Sequence, residues 1–288
     1  MMRVLLASEL LAVWERGLWQ NPVERALALL EAACADEPAE ALARLSVGER
    51  DARLLRLRGW TFGPRLTSLV RCPSCGEQLE LTLDVTDLQA RPAAEVGAVS
   101  DVSGAPARTF AMTTAEYEVA FRLPNSLDLA AACAGVEVLG SEVTQAASFS
   151  QPSQATSSAS NVEGGHMVSR AVATLLDRCV IDARHITNCG ESVRASDLPQ
   201  EVAEAVADRM AMADPQAEME LVVDCAKCGD RWEAPFDIES FFWSEIDTWA
   251  RRILSEVHVL ASSYGWREAD IFNMSAWRRH YYLDLISE

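Results

Sequence analysis

A cysteine motif occurs twice in this chain, about 150 residues apart, and constrains its fold more than any other feature. The copies begin Cys72-Pro73-Ser74-Cys75-Gly76 and Cys225-Ala226-Lys227-Cys228-Gly229. After the glycine, both continue with an acid, any residue, a large apolar residue, Glu, two residues, an apolar residue, Asp and an aliphatic residue. Two Cys-x-x-Cys turns of one design supply the four thiolates of one tetrahedral metal site. We therefore expect the copies to meet in space, with the residues between them forming an insertion.

Strand-like segments flank both knuckles. Residues 66–70 precede the first knuckle and residues 220–223 precede the second. Alternating apolar residues follow, namely Leu79, Leu81 and Leu83 in the first copy and Trp232, Ala234 and Phe236 in the second. Strand, knuckle and strand, repeated once, predict a zinc ribbon. Its ligands are Cys72, Cys75, Cys225 and Cys228, which hold one structural Zn²⁺ per chain because four sulfurs leave no open coordination position.

Three other interpretations of the motif stay open beside zinc. A thioredoxin-like redox dithiol requires a helix that begins at the first cysteine, whereas a glycine and an alternating segment follow here. Iron in a rubredoxin-like site uses the same four ligands. The two pairs are also compatible with chance occurrence. The shared pattern favours structural zinc, but ligand spacing does not separate zinc from iron.

Charge limits the partners of the chain. The net charge is −18, so the molecule as a whole repels the phosphates of nucleic acid. One segment is locally basic, with Arg44, Arg50, Arg53, Arg56, Arg58, Arg65 and Arg71 against only Glu49 and Asp51. A solvated helix face beside an acidic partner is the favoured explanation. A zinc-ribbon nucleic-acid or transcription-associated factor that uses the segment from Arg50 to Arg71 remains the alternative.

Periodicity divides the chain into four parts. Residues 1–65 are predicted to form N-terminal helices, residues 66–85 and 220–238 the two ribbon halves, and residues 239–288 C-terminal helices. Residues 86–219 form the insertion. Within it, residues 86–112 lose periodicity and predict an irregular connection, while residues 144–165 are rich in Ser, Gln and Ala and predict a flexible loop. The fold class is α+β, mainly helical, with helices around a small two-knuckle ribbon that carries a long insertion.

Several helix ends can be predicted from the sequence. Asn21 before Pro22 is a good N-cap, and Ser46 with Glu49 fits a capping box. Asn125 or Ser126, after Pro124, is expected to cap a short helix. The strongest helical pattern lies near the end of the chain and consists of Phe242, Ile246, Trp249, Ile253, Val257 and Leu260, with Gly265 as the predicted stop.

A last helix carries the residues that we expect to bind a partner, namely Trp277, Arg278, Arg279 and Tyr281. Trp, Tyr and Arg are enriched at interface hot spots, and these four fall within about one turn. The alternative is that both C-terminal helices simply cover the ribbon.

Catalytic motifs are missing from the sequence. The four histidines lie far apart, and there is no phosphate-binding loop, nucleophile elbow or His-Glu-x-x-His motif. The chain is therefore expected not to be an enzyme. No signal peptide and no run of transmembrane length occurs, which predicts a reducing compartment and no membrane partner.

Scattered motifs resemble one known family. They are VGERD at 47–51 with Leu54, Leu55, Leu57 and Arg58, then Phe62-Gly63, CPSCG at 72–76, FRLPNSLDL at 121–129, FWSE at 242–245, Trp249-Ala250, EVH at 256–258, YGWREADI at 264–271, Arg278-Arg279 and Tyr282-Leu283. The chain is similar to baseplate-associated proteins of contractile phage tails and extracellular contractile injection systems, especially the T-even-type phage baseplate or hub-assembly family.

The resemblance implies an interaction protein without enzymatic activity. Its partners would be baseplate or hub proteins of a contractile particle, and it would lie in the bacterial cytoplasm or become part of the particle. Whether such a protein stays in the finished particle or acts only during assembly is left open, as is its oligomeric state. The zinc site is predicted from the cysteine spacing and not from the family.

Overall fold

The computed structural model describes residues 1–88, 98–99, 108–134, 160–186 and 191–287 and contains both helices and strands. The helices are α1 (Ala7–Gly17), α2 (Pro22–Ala33), α3 (Ala39–Ala43), α4 (Val47–Phe62), α5 (Val85–Leu88), α6 (Ser126–Ala134), α7 (Ser160–Cys179), α8 (Gln200–Ala213), α9 (Ile238–Tyr264), α10 (Glu268–Phe272) and α11 (Ala276–Ser287). The strands are β1 (Arg65–Arg71), β2 (Gln78–Asp84), β3 (Ala98–Val99), β4 (Thr109–Thr113), β5 (Tyr117–Arg122), β6 (Val180–His185), β7 (Met219–Asp224) and β8 (Arg231–Phe236). No described helix is long and apolar enough to cross a membrane.

The largest core lies where α1, α2 and α4 pack against α9. The predicted stripe of α9 is buried at Phe242, Ile246, Ile253 and Leu260, while Trp249 and Val257 are half-buried. Helix α9 ends at the predicted Gly265, whose φ of 66° is left-handed. Helices α1 and α9 approach so closely that a Cβ on Gly17 would lie 2.1 Å from the Trp243 ring. Burial of this stripe, rather than helix propensity, stabilises the long helix.

Two of the N-terminal caps show how far local sequence determines a helix start. The Asn21 side chain accepts a hydrogen bond from the Glu24 N–H, and the Glu24 carboxylate accepts one from the Asn21 N–H, both at 3.0 Å. Ser46 accepts from the Glu49 N–H at 3.2 Å as predicted, but the Glu49 carboxylate pairs with Arg53 at 3.7 Å. Only one of the two hydrogen bonds of this predicted capping box is therefore present, because Arg53, one turn further along α4, attracts the Glu49 carboxylate.

Two antiparallel hairpins carry the knuckles. Strands β1 and β2 pair from Arg65–Asp84 to Arg71–Gln78, and β7 and β8 pair from Met219–Phe236 to Asp224–Arg231. All four predicted ribbon strands are therefore confirmed. Each hairpin is followed by a helix that begins one residue after an aspartate. Asp84 accepts from the Thr86 N–H at 3.0 Å, and Asp237 accepts from the Glu239 N–H at 2.9 Å.

The insertion contains an antiparallel sheet in the order β3-β4-β5-β6, with a core of its own. That core includes Phe110, Val119, Phe121, Ala183 and Val206. The irregular connection predicted for residues 86–112 is wrong in part, since β3 and the start of β4 lie there. Strands this short, with mixed composition, give no period-2 signal.

The predicted flexible loop, residues 144–165, also requires correction at its end. Residues 160–165 belong to α7, which begins earlier than the sequence pattern indicated, and residues 144–159 lie outside the described residues. The predicted short helix after Pro124 is confirmed as α6. Asn125 is its cap, because its side chain accepts from the Leu127 and Asp128 N–H groups at 2.9 and 3.2 Å.

Two contacts attach the insertion to the first turn of α4. The Val47 N–H donates to the Pro124 carbonyl at 3.0 Å, and the Gly48 N–H donates to the Asp214 carboxylate at 2.9 Å. A Cβ on Gly48 would lie 2.0 Å from that carboxylate, so the approach requires glycine. The first turn of α4 therefore contacts two segments of the insertion that lie 90 residues apart in sequence.

Candidate metal centre

Each knuckle forms the same tight turn. The Cys72 N–H donates to the Glu77 carbonyl at 2.8 Å and the Gly76 N–H to the Cys72 carbonyl at 3.0 Å. In the second knuckle, Cys225 donates to Asp230 and Gly229 to Cys225, both at 2.8 Å. Gly76 and Gly229 have φ angles of 71° and 75°, a region that residues with a Cβ avoid. The glycine is thus what allows each pair of cysteines to face one point.

The structure brings the four predicted ligand cysteines together. Their sulfur atoms all lie within 4.8 Å of one another, with 3.6 Å between Cys72 and Cys228 and 3.7 Å between Cys75 and Cys225. In a tetrahedral site with metal–sulfur bonds of about 2.3 Å, neighbouring sulfurs are about 3.8 Å apart, whereas a disulfide requires about 2.0 Å. All seven cysteines that the structure describes are free thiols. The sulfur spacing therefore fits a metal ion better than a disulfide.

The two knuckles face each other with approximate twofold symmetry. Cys72 corresponds to Cys225 in the motif and Cys75 to Cys228, so the two short sulfur contacts are equivalent. Two side-chain contacts also cross between the knuckles at equivalent positions. The Ser74 hydroxyl donates to Asp230 at 2.5 Å, and the Lys227 ammonium pairs with Glu77. These contacts hold the knuckles against each other from both sides of the sulfur cluster.

A small apolar cluster supports the sulfurs from the hairpin side. Its members are Val70, Leu79 and Leu81 from the first hairpin and Leu221, Val223, Trp232 and Ala234 from the second. Val70 and Val223 stand two residues before their knuckles and are both buried. The alternation seen in the sequence thus places one face of each hairpin against the other, and the knuckles at the tips of the hairpins meet as a consequence.

The four thiols differ in how readily they ionise. The Cys228 N–H, followed by the Lys227 N–H, lowers the pKa of Cys225 to about 7. At Cys228, the Asp230 N–H favours the thiolate, but loss of water and the other three sulfurs outweigh it and raise the pKa to about 12. Four thiolates at these distances repel one another, and a bound cation stabilises all of them at once. The donor set and its shape fit Zn²⁺ or iron in a closed, four-coordinate site.

The remaining described cysteines lie elsewhere. Cys34 and Cys179 are buried, and burial raises the pKa of both thiols, that of Cys179 to about 11. Both therefore behave as small apolar residues. Cys133 is exposed on α6, because α6 buries a different face. Cys189 lies outside the described residues.

The predicted partner-binding residues divide into two groups. Trp277 and Tyr281 are 76% and 52% exposed, and Arg278 is exposed beside them. Arg279, however, is buried: it pairs with Glu256 at 3.2 Å and donates to the Met274 carbonyl at 2.7 Å. The expectation that Arg279 presents an exposed charge is wrong, because the residue fixes α11 against α9.

The arginine-rich segment is mostly turned inward. Arg50 and Arg58 are 3% and 2% exposed, and Arg58 forms a double hydrogen bond with Glu245 on α9 at 2.6 and 2.8 Å. Arg53 pairs with Glu37 at 2.8 Å. The local excess of positive charge is therefore largely balanced by acids distant in sequence, and Arg44, Arg56, Arg65 and Arg71 are the exposed members.

Sequence reasoning missed a buried charge cluster beside the first turn of α9. Arg50 contacts Asp51 at 2.8 Å and Glu239 at 3.2 Å, and all three are buried. Burial raises the pKa of Glu239 to about 7 and that of Asp51 to about 6, although Arg50 opposes both shifts. Acids in a first helical turn are ordinary capping residues, so nothing in the local sequence signals this burial.

Comparison with known proteins gives one match. The family model described as T4 bacteriophage base plate protein matches residues 7–243. The matched range includes both knuckles, the insertion and the first turns of α9. No curated protein and no solved structure matches the chain significantly.

Proposed function

Because the chain belongs to the T4 bacteriophage base plate protein family, we propose that it is a non-enzymatic structural or assembly protein of a contractile phage-tail-like particle. In this role it binds baseplate or hub proteins, in the bacterial cytoplasm or within the particle itself. The single observation that carries the proposal is the family match, which extends over most of the chain. The sequence motifs at residues 47–51, 62–63, 72–76 and 121–129 support it, since they lie within the matched range.

A structural role for the metal centre agrees with this proposal. We infer that Cys72, Cys75, Cys225 and Cys228 hold one Zn²⁺ per chain. Four sulfurs complete a tetrahedral shell, so no position remains for a substrate or a reactive water. The ion would fix the N-terminal helices (residues 1–65), the two ribbon halves (66–85 and 220–238), the insertion (86–219) and the C-terminal helices (239–288) relative to one another.

Elemental analysis of freshly purified, reduced protein tests the metal. We expect one equivalent of zinc per chain, and iron in its place would refute the choice of ion. Less than about half an equivalent of any metal would refute the site itself, because a closed four-thiolate shell binds tightly. The protein must be expressed without added metal, so that the ion it contains is the one that it acquires in the cell.

We propose that α11 carries the partner surface. Trp277, Tyr281 and Leu285 follow one another at intervals of four residues and are 76%, 52% and 48% exposed. The helix beneath them is held by buried Arg279 and by Tyr282, whose ring contacts Trp266 at 4.8 Å. Aromatic anchors on a rigid support are typical of interface hot spots. A partner with an apolar groove fits this stripe, because its three exposed side chains lie along one face of the helix.

Purification of the tagged protein from its native host tests the function. Baseplate, sheath, tube or spike proteins in the eluate support the proposal, whereas polymerase or nucleic acid supports the alternative role of the exposed arginines in residues 50–71. Trp277→Ala should abolish recovery of the particle proteins without lowering the melting temperature. The matched control is Trp19→Ala, since Trp19 is 92% exposed and lies in the turn after α1. Equal recovery with both variants would refute α11 as the surface.

A further inference from the structure

Lys227 is the only lysine in the chain, and it lies inside the second knuckle, between Cys225 and Cys228. Lysine and arginine together number 25, so every other cationic side chain of this kind is an arginine. The two cations differ physically. The ammonium of lysine is a compact point charge on a flexible stem, whereas the guanidinium spreads its charge over a planar group.

The Lys227 ammonium connects the two knuckles. It pairs with Glu77 of the opposite knuckle, and both side chains remain substantially exposed, 62% and 41%. Lys227 precedes Cys228 directly in the chain, and Glu77 is two residues from Cys75. The ion pair therefore joins the cysteine-bearing turns of both knuckles.

The first knuckle provides an internal comparison. Ser74 occupies the position equivalent to Lys227 and joins Asp230, the equivalent of Glu77, through a neutral hydroxyl at 2.5 Å. A hydroxyl is thus sufficient to connect the knuckles on that side. The Lys227–Glu77 contact therefore brings a positive charge that is not needed merely to connect the knuckles.

The net charge of the proposed metal centre indicates a role for the Lys227 ammonium. Four thiolates and one divalent ion carry a net charge of about −2, which water and nearby dipoles must stabilise. We propose that Lys227 is a positioning residue of the metal centre whose ammonium compensates this negative charge and so strengthens binding of the divalent ion. Glu77 orients the ammonium but adds a negative charge of its own. The inference rests on the metal site proposed above.

Zinc affinity of four single variants tests the proposal, measured by chelator competition at about 50 mM and about 500 mM salt, spanning weak and strong screening. Lys227→Gln should weaken zinc binding about tenfold, as loss of a partner next to the metal shell typically does. The loss should shrink at high salt, since the ammonium is exposed. Lys227→Arg should retain most of the affinity, because the charge remains.

Two further variants separate charge from mechanical connection. Glu77→Gln removes the ion pair but also a negative charge, so we expect no loss of affinity. Ser74→Ala removes the neutral connection and should not change the salt dependence. Equal losses in Lys227→Gln and Glu77→Gln, both independent of salt, would overturn the proposal. A wild-type chain without metal would instead refute the metal site.

Chemical modification gives the same test without a mutation. Amine-selective acetylation of the zinc-loaded protein can modify only Lys227 and the N-terminal amine of Met1, which pairs with Asp36 far along the chain from both knuckles. Acetylated wild type should release zinc to a chelator about tenfold faster than acetylated Lys227→Arg, in which only the N-terminus reacts. Equal release rates would overturn the proposal.

Discussion

The chain contains two copies of one helix–hairpin–helix unit, and their differences are more informative than their likeness. The first unit is α4, β1, β2 and α5, and the second is α8, β7, β8 and α9. Both have a Cys-x-x-Cys-Gly knuckle, a seven- or six-residue strand on each side and an aspartate cap. The helix that follows is described from Val85 to Leu88 in the first unit, where the described residues stop, and is 27 residues long in the second.

The two units show that the motif determines the hairpin, whereas burial determines the helix that follows it. The motif ends at the aspartate and one aliphatic residue, and both hairpins form because the turn and the alternation lie within it. Beyond it, α9 has an apolar stripe that packs against α1, α2 and α4. Of α5, the structure describes one turn, which buries Val85 and Leu88 in the same core. A cap starts a helix, but a packing surface extends it.

The largest expected effect comes from removing a metal ligand. Cys72→Ser and Cys225→Ser change equivalent positions, so both should lose the metal and lower the free energy of unfolding by a similar amount, at least about 3 kcal/mol. Chemical denaturation with parallel metal analysis measures this. Cys133→Ser, at an exposed cysteine of α6, is the control and should change neither quantity. Unequal losses in the two ligand variants would show that the units are not equivalent at the metal.

A pH dependence should distinguish the second unit from the first. Burial raises the pKa of Glu239 from 4.5 to about 7, so the folded state binds this proton more tightly than the unfolded state. Stability contributed by the protonated acid is therefore lost as pH rises from about 4.5 through 7. Between pH 6 and pH 8 we expect the free energy of unfolding to fall by roughly 1 to 2 kcal/mol on this account, and Glu239→Gln to remove the loss.

The first unit supplies the control for this pH effect. Thr86 occupies the position equivalent to Glu239 but is exposed. Thr86→Glu should therefore leave the slope of stability against pH unchanged. Melting temperatures at pH 6, 7 and 8, with the metal content checked at each, make the comparison. A wild-type slope that survives in Glu239→Gln would contradict the assignment of the effect to this residue.

The smallest expected effect concerns the two aspartate caps. Asp237→Ala should cost about 1 kcal/mol, since it removes hydrogen bonds to the first turn of a core helix. Asp84→Ala should cost less, about 0.5 kcal/mol, because the Asp84 hydrogen bonds to Thr86 are exposed to solvent, whereas the bond from the Glu239 N–H to Asp237 is partly buried. Urea denaturation of both variants measures the difference. Equal costs would mean that burial of the capping hydrogen bond does not decide its contribution.

Local signals explain most of what could be predicted. The hairpins, the Asn21 cap, the α9 stripe and the Gly265 stop all depend on residues within a few positions of each other. The proximity of the four cysteines could also be predicted, since a second copy of a motif indicates a shared site. The identity of the ion could not, because zinc and iron accept the same ligands at similar distances.

What the sequence could not predict depends on distant partners. Arg58 and Arg279 look like surface residues in their helices, but acids on α9 bring both into the interior. Glu239 looks like a capping acid, yet α4 covers it. Strands β3 and β4 are too short for a periodic signal. In each case the deciding contact joins segments that no local pattern relates.

The separation of the two knuckles also bears on the order of events during synthesis. Cys75 and Cys225 are 150 residues apart. A ribosome adding roughly 5 to 20 residues per second needs about 8 to 30 seconds to cover that distance. Through this interval the first knuckle is a nascent pair of thiols without its partner pair, and α4 has no α9 to pack against. The centre can therefore form only late in translation, which leaves a window in which the emerging chain depends on reducing surroundings to keep two unprotected thiols unoxidised.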